Sequence, residues 1–139
     1  MNLPAKIQKA VRRFLPFLLL TLAAGGAQAE WLAIGRTENF RVYLEQQSLE
    51  RNGEFVLTIQ LMDFVTAQWV DAQTVVSSII TRVEYDCTQP RLRTLFLEAF
   101  TEQMGAGRRL SAEKIPNPEW EAVKPGSNNE NIQKMVCKK

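Results

Sequence analysis

The stretch Val83-Glu84-Tyr85-Asp86-Cys87 ends a long run in which residues alternate as they do in a β-strand, and it closes with one of only two cysteines. The other, Cys137, lies two residues before the C-terminus. A disulfide between them would tie the end of the chain to the middle of a sheet and close a loop of about fifty residues. Such a cross-link is worth roughly 4 kcal/mol in the chain-entropy account, a large share of the ~5–15 kcal/mol stability of a typical domain.

The first 29 residues have the three parts of a secretory signal peptide. Basic residues precede an apolar run, Phe14 to Ala24, and Ala27-Gln28-Ala29 forms a small-x-small cleavage site. As a helix, this run would span only ~16 Å, whereas the hydrocarbon core of a bilayer is ~30 Å thick, so no transmembrane span is expected in the mature protein. We therefore predict a cleaved signal peptide at residues 1–29 and a single domain at residues 30–139.

Export places the two cysteines in an oxidising compartment, where a pair is expected to form one structural disulfide. A redox-active pair would need closely spaced cysteines, as in C-x-x-C, and the sequence has no such spacing. The cleavage site also lacks the cysteine of a bacterial lipid anchor. We therefore expect a periplasmic protein, with the outer-membrane surface and secretion as the alternatives.

The net charge changes sign when the signal peptide is removed. The whole chain has 17 basic and 15 acidic residues, a charge of +2. The signal peptide contains four basic and no acidic residues, which leaves 13 basic and 15 acidic residues and a charge of −2. Composition thus indicates no overall attraction to nucleic acid, and we expect no nucleic-acid partner.

Alternation with period two predicts strands over most of the domain. The predicted strands are residues 31–34, 39–45, 54–66, 75–87, 91–102 and 108–111. Asn52-Gly53 predicts a type I′ hairpin turn, in which both central residues have positive φ. Residues 67–74 are predicted to form a loop, and residues 104–107 a turn.

The same alternation predicts which residues share a face of the sheet. The apolar face of the strand at residues 75–87 is expected to hold Val83, Tyr85 and Cys87. The opposite, solvated face is expected to hold Glu84 and Asp86. In the strand at residues 91–102, the residues expected on one face are Leu92, Phe96 and Phe100.

The C-terminal part of the chain differs in composition. Residues 115–120 are too rich in proline for regular structure, and we expect them to cross the surface in extended form with Trp120 as a buried anchor. Ser127 and Glu130 predict a capping box at the start of a helix over residues 128–136. The residues expected to face the sheet from this helix are Ile132, Met135 and Val136.

These elements indicate an α+β fold: a small antiparallel meander of five or six strands, covered by one C-terminal helix and held by one disulfide. Catalytic patterns are missing from this sequence. Without histidine there is no Ser-His or Cys-His pair and no imidazole ligand for a metal, and Gly105-x-Gly107 is better interpreted as a turn than as a phosphate loop. Glu84 and Asp86 would lie about 7 Å apart, but such pairs are usually solvated. We expect no enzyme, metal or cofactor.

Two features could bind a partner. The predicted strands carry five arginines that could form one cationic patch for an acidic protein or a sulfated polysaccharide, namely Arg82, Arg91, Arg93, Arg108 and Arg109. In the alternative, which we favour, Glu84, Glu98 and Glu102 neutralise them in cross-strand pairs. An exposed Trp69 could anchor a partner, although we favour the alternative that it plugs one end of the sheet.

The sequence resembles the surface-adhesin protein E family of Gram-negative bacteria. The residues that carry this resemblance are Trp31, Val83-Glu84-Tyr85-Asp86-Cys87, Arg93, Met104-Gly105-Ala106-Gly107, Trp120, Pro125-Gly126-Ser127 and Cys137. The resemblance implies a small antiparallel sheet packed against a C-terminal helix, with a disulfide between Cys87 and Cys137 and with Trp31 and Trp120 as structural anchors. The resemblance also implies that the founding member of the family is a dimeric outer-membrane adhesin that binds host vitronectin and laminin, while many relatives are exported proteins with no known role.

Two hypotheses follow. In the first, the protein is an exported, non-catalytic binding module that uses its arginine-rich strand face, dimerises through a sheet edge and binds a protein of the host matrix or the cell envelope. In the second, it is a soluble periplasmic protein that maintains the envelope or holds a small apolar ligand between sheet and helix.

Overall fold

The computed structural model describes residues 29–138, so the predicted signal peptide at residues 1–29 lies outside this range except for its last residue. Eight strand segments precede one α-helix in the described part of the chain. They are β1 (Trp31–Arg36), β2 (Phe40–Glu45), β3 (Glu50–Asn52), β4 (Phe55–Trp69), β5 (Val75–Asp86), β6 (Arg91–Phe100), β7 (Arg109–Lys114), β8 (Glu121–Ala122) and α1 (Asn128–Val136). Short 3₁₀ turns lie at Gln46–Ser48 and Gln103–Gly105.

The strands form one antiparallel sheet in the order β1-β2-β4-β5-β6-β7. β3 pairs with β4 beyond the end of β2, and β8 pairs with β6 beyond the end of β7. The eight segments therefore occupy six positions in the sheet. The predicted antiparallel meander with one C-terminal helix is confirmed.

Helix α1 packs on one face of the sheet and closes the core. The core residues are Val42, Leu44, Val56, Val83, Tyr85, Leu92, Val123, Ile132 and Val136. Met135 was expected to face the sheet, but it is exposed. At residues 29–138 there is no helix with the length and apolar composition needed to cross a bilayer.

The start of α1 follows the predicted capping box in part. The Ser127 hydroxyl accepts a hydrogen bond from the Glu130 N–H at 3.2 Å. The Glu130 carboxylate accepts one from the Gly126 N–H rather than from that of Ser127. At the other end of α1, Cys137 is bonded to Cys87, and the two Cα atoms are 5.4 Å apart. The predicted disulfide is confirmed.

A β-bulge in β6 changes the predicted faces of that strand. Thr94 pairs with Val83, but the next paired residue, Phe96, is opposite Arg82. Leu95 is the extra residue, so Phe96 lies on the face opposite to Leu92. The prediction that Leu92, Phe96 and Phe100 share one face was therefore wrong.

Other turns and strands also differ from the predictions: β7 extends to Lys114, and the short β3 and β8 were not predicted. Asn52 pairs with Phe55, so the hairpin turn is centred on Gly53 and Glu54, and only Gly53 has positive φ (60°). This matches a type II′ turn rather than type I′. β4 continues to Trp69, which pairs with Val75, so the predicted loop is shorter. β1 passes through Gly35, at a bulge, to Arg36.

Candidate partner-binding site

Trp120 lies against the face of the sheet opposite to α1. Its ring stacks on that of Phe55, with 5.6 Å between centroids and 28° between planes. The guanidinium carbons of Arg91 and Arg93 each lie 4.5 Å from the centroid of the Trp120 ring. These four residues form the Trp120 cluster, in which two cations and an aromatic ring cover the half-buried tryptophan.

The two arginines of the Trp120 cluster also form ion pairs across the strand pair. Arg91 Nε donates to Asp86 Oδ2 at 2.9 Å, and Arg93 Nε donates to Glu84 Oε1 at 2.7 Å. Each pair joins β6 to its direct neighbour in β5. The positive charges of Arg91 and Arg93 are therefore largely neutralised by acids of the same domain, which leaves little attraction for an acidic partner.

Asp86 was predicted to lie on the solvated face of the sheet, and this prediction was wrong. The residue is only 2% exposed, and its carboxylate accepts hydrogen bonds from the hydroxyl and the N–H of Thr88 as well as from Arg91. These bonds, with that of the Thr88 hydroxyl the strongest influence, lower the pKa of Asp86 to about 2. Thr88 lies beyond the strand in the turn, where strand alternation gives no signal, and Arg91 lies opposite Asp86 on β6.

The other three arginines lie on β5, on β7 and just before β7. Arg109 pairs with Glu98 at 2.9 Å, and the Arg82 guanidinium lies 5.5 Å from the centroid of the Phe96 ring. Arg108 is exposed next to the 105–107 turn. The structure thus brings Arg91 and Arg93 together, and of the three acids expected to neutralise the patch, it pairs Glu84 and Glu98 with arginine. Within residues 29–138, the third, Glu102, forms no ion pair.

Most of the large apolar side chains that are exposed lie at the far end of the sheet, where β4 and β5 extend beyond α1. Trp69 is 70% exposed, so the prediction that it plugs the sheet was wrong. Three further exposed residues lie at this end, and together they form the tip surface: Val65, Trp69, Val70 and Met104.

Met104 is held at the tip surface by contacts with β4. Its backbone N–H donates to Asp63 Oδ1 at 2.7 Å, and the neighbouring Gln103 side chain donates to the Phe64 carbonyl at 2.8 Å. Met104 has a positive φ of 59°, which is uncommon for a non-glycine residue, and these contacts favour it here. Sequence reasoning missed Val65, Val70 and Met104, because their exposure depends on how far the strands project beyond the helix.

Trp31, the other predicted anchor, opens β1 opposite Glu45 and is half-buried. Its position ties the start of the domain to the edge of the sheet. No group of three or more potential metal ligands occurs in the part of the chain that the structure describes.

The sequence profile described as Surface-adhesin protein E matches residues 31–138. The chain belongs to this family. The matched residues include both cysteines, Trp120 and the arginines described above, so the resemblance predicted from the sequence is confirmed. No curated protein matches the chain significantly.

Solved structures of Haemophilus influenzae protein E have a similar fold. One is 15% identical with a TM-score of 0.62, and the match covers 79% of this chain and 85% of that chain. A second crystal form is 15% identical with a TM-score of 0.59, covering 78% of this chain and 96% of that one. Protein E from non-typeable Haemophilus influenzae is 14% identical with a TM-score of 0.60, covering 81% and 78%. At such low identity, this likeness shows the fold.

Proposed function

We propose that the chain is an exported, non-catalytic binding protein that attaches to an extracellular protein through the tip surface. The observation that carries the proposal is that four large apolar side chains are exposed at this end of the sheet, of which Trp69 is the most exposed. Contiguous apolar patches mark interaction sites, and tryptophan is enriched among the residues that dominate binding energy. Membership of a surface-adhesin family supports a protein partner and export.

The test of this surface is binding to immobilised laminin and vitronectin, the partners implied by the family resemblance. Trp69→Ala should weaken binding at least about tenfold, because a central tryptophan contributes about 2 kcal/mol or more to an interface. Thr66→Ala, an exposed position on the same strand, is the matched control and should bind as the wild type does. Equal binding by wild type and Trp69→Ala would show that the tip surface is not the site.

The arginine-rich face is the competing site, and the structure shows which variants can test it. Reversing the charge of Arg91 or Arg93 would break an ion pair and the Trp120 cluster, so lost binding could reflect lost folding. Arg82 and Arg108 are exposed and form no ion pair within residues 29–138. Arg108→Glu therefore breaks no ion pair or cation–π contact there, whereas Arg82→Glu also removes the contact with the Phe96 ring. Weaker, salt-sensitive binding by these variants, with Trp69→Ala unaffected, would move the site to this face.

Location separates adhesion from the periplasmic alternative. We propose that residues 1–29 are removed on export and that the domain at residues 30–139 reaches the outer surface. Protease added to intact cells should then digest the tagged protein as completely as it does in cells with a permeabilised outer membrane. Protection in intact cells would place the protein in the periplasm and exclude adhesion.

Dimerisation is a further part of this proposal. In the described chain, β1 pairs only with β2, so its outer edge is open to a strand of a second copy. Sedimentation equilibrium of the exported protein should show a dimer at micromolar concentration. A monomer throughout that range would contradict pairing at this edge.

A further inference from the structure

A cavity of about 450 Å³ lies between the first turn of α1 and the sheet. Its size falls within the ~300–1,000 Å³ range of small-molecule sites. Its apolar wall is formed by residues of β2, β4 and β5, namely Phe40, Val42, Leu61, Met62 and Ile79. We call it the helix cavity. It is separate from the Trp120 cluster, which lies on the opposite face of the sheet.

Gln60 brings an unfilled hydrogen-bond acceptor to the helix cavity. The residue is 7% exposed, and its Nε2 donates to Thr58 Oγ1 at 3.0 Å and to the Tyr85 hydroxyl at 2.9 Å. The Tyr85 hydroxyl in turn donates to Asn129 Oδ1 at 3.0 Å, which fixes the direction of the network. Both side-chain donor hydrogens of Gln60 are thus used. Its side-chain carbonyl oxygen, Oε1, accepts no hydrogen bond from any residue at 29–138.

That carbonyl oxygen is reachable from the helix cavity. The described residues contain no fully buried side-chain nitrogen or oxygen without a partner, and Gln60 lines the cavity. A polar group so deep in a fold normally has a partner. Its open acceptor therefore suits a ligand that donates a hydrogen bond.

The first turn of α1 brings two unfilled donors to the same cavity. Asn128 and Asn129 line it, and within residues 29–138 their backbone N–H groups have no acceptor, whereas that of Glu130 is capped by Ser127. Arg36 lies on the rim, exposed and without an ion pair to any described residue. Open amides at a helix N-terminus favour a carboxylate, and the nearby cation adds to this preference.

We propose that the helix cavity binds a small organic acid that has an apolar body and a hydroxyl or amine next to its carboxylate. The ligand carboxylate accepts hydrogen bonds from the backbone N–H groups of Asn128 and Asn129. The adjacent hydroxyl or amine donates to the Gln60 carbonyl oxygen, and the apolar body packs on Phe40 and Met62.

A series of three probes tests each part of this assignment by titration calorimetry on the exported protein at pH 7. We expect 2-hydroxyoctanoate to bind most tightly. Octanoate lacks the donor for Gln60 and should bind about tenfold more weakly, and octanol lacks the carboxylate and should show no saturable binding. Equal binding by all three would show that the cavity is a non-specific apolar site and would overturn the proposal. Failure of 2-hydroxyoctanoate to bind below its micelle-forming concentration would also overturn it.

A pair of substitutions at Asn128 tests where the carboxylate lies. Asn128→Pro removes one amide donor at the first helical position, where proline is favoured, and the preceding Ser127 already has the extended conformation that proline requires (φ −84°, ψ 162°). Asn128→Ala removes the same side chain but keeps the donor. We expect 2-hydroxyoctanoate to bind Asn128→Pro about tenfold more weakly than Asn128→Ala. Equal affinities in two variants of equal stability would overturn the placement.

Discussion

The two ends of the β4–β5 hairpin differ in what covers them. At the Cys87 end, α1 lies on one face of the sheet and Trp120 on the other, and the disulfide joins α1 to the turn after β5. At the Trp69 end, none of these elements is present, and large apolar side chains are exposed. One hairpin therefore provides both the centre of the fold and the surface that we propose for binding.

This difference also shows how a small domain tolerates exposed apolar residues. An exposed apolar patch is a liability for solubility unless it has a partner, and it adds little to folding. Stability has to come from elsewhere in the chain, and the covered end concentrates the core, the disulfide and the buried Asp86. If this division is right, substitutions at the covered end should be costly and those at the open end nearly neutral.

The largest effect is expected from the disulfide. Replacing both cysteines, Cys87→Ser with Cys137→Ser, should lower the free energy of unfolding by about 4 kcal/mol, because the loop of 50 residues is no longer closed in the unfolded chain. Urea titration of the double variant measures this, and the reduced and alkylated wild-type protein should give the same loss. A loss under about 1 kcal/mol would mean that apolar contacts alone hold α1 on the sheet.

An intermediate effect is expected from Asp86, and it should depend on pH. The pKa of this carboxyl falls from 3.8 to about 2 on folding, so its contribution is complete above pH 4 and is lost as the pH falls through 2. Asp86→Asn should therefore lower the free energy of unfolding by about 2 kcal/mol at pH 7 and by progressively less towards pH 2. The measurement is urea titration at pH 7, 4 and 2.5.

Glu113→Gln provides the control for Asp86→Asn, because Glu113 is exposed on β7 and forms no ion pair with another described residue. Its stability should match that of the wild type at each pH. A loss in Asp86→Asn that is the same at every pH would contradict the role of the ionised carboxylate.

Sequence patterns predicted the covered end better than the open end. Alternation and capping signals located α1 and the six longer strands, because each reflects burial against a neighbour that lies in the same domain. They missed the short β3 and β8, which lie at the covered end. The disulfide could be predicted from the number of cysteines and the oxidising compartment alone. The bulge at Leu95 and the projection of Trp69 depend instead on strand register, which alternation does not determine.

The candidate sites show the same limit. The five arginines could be named as candidate binding residues from the sequence. Whether each is free or forms an ion pair depends on its distance to an acid on another strand. Gln60 gave no signal at all, since an unfilled carbonyl oxygen is defined by the partners of its amide nitrogen. Such features follow from three-dimensional geometry rather than from spacing along the chain.

The smallest effect is expected at Trp69, and it is the sharpest check of the difference between the two ends. Trp69→Ala should change the free energy of unfolding by less than about 0.5 kcal/mol, as exposed substitutions usually do. Trp120→Ala is the matched change at the covered end and should cost about 2 kcal/mol, because it removes a stacked ring and two cation–π contacts. Urea titration of both variants measures the contrast. If Trp69→Ala were as destabilising as Trp120→Ala, the tip surface would be part of the folded core, and its apolar residues would no longer require a partner to explain them.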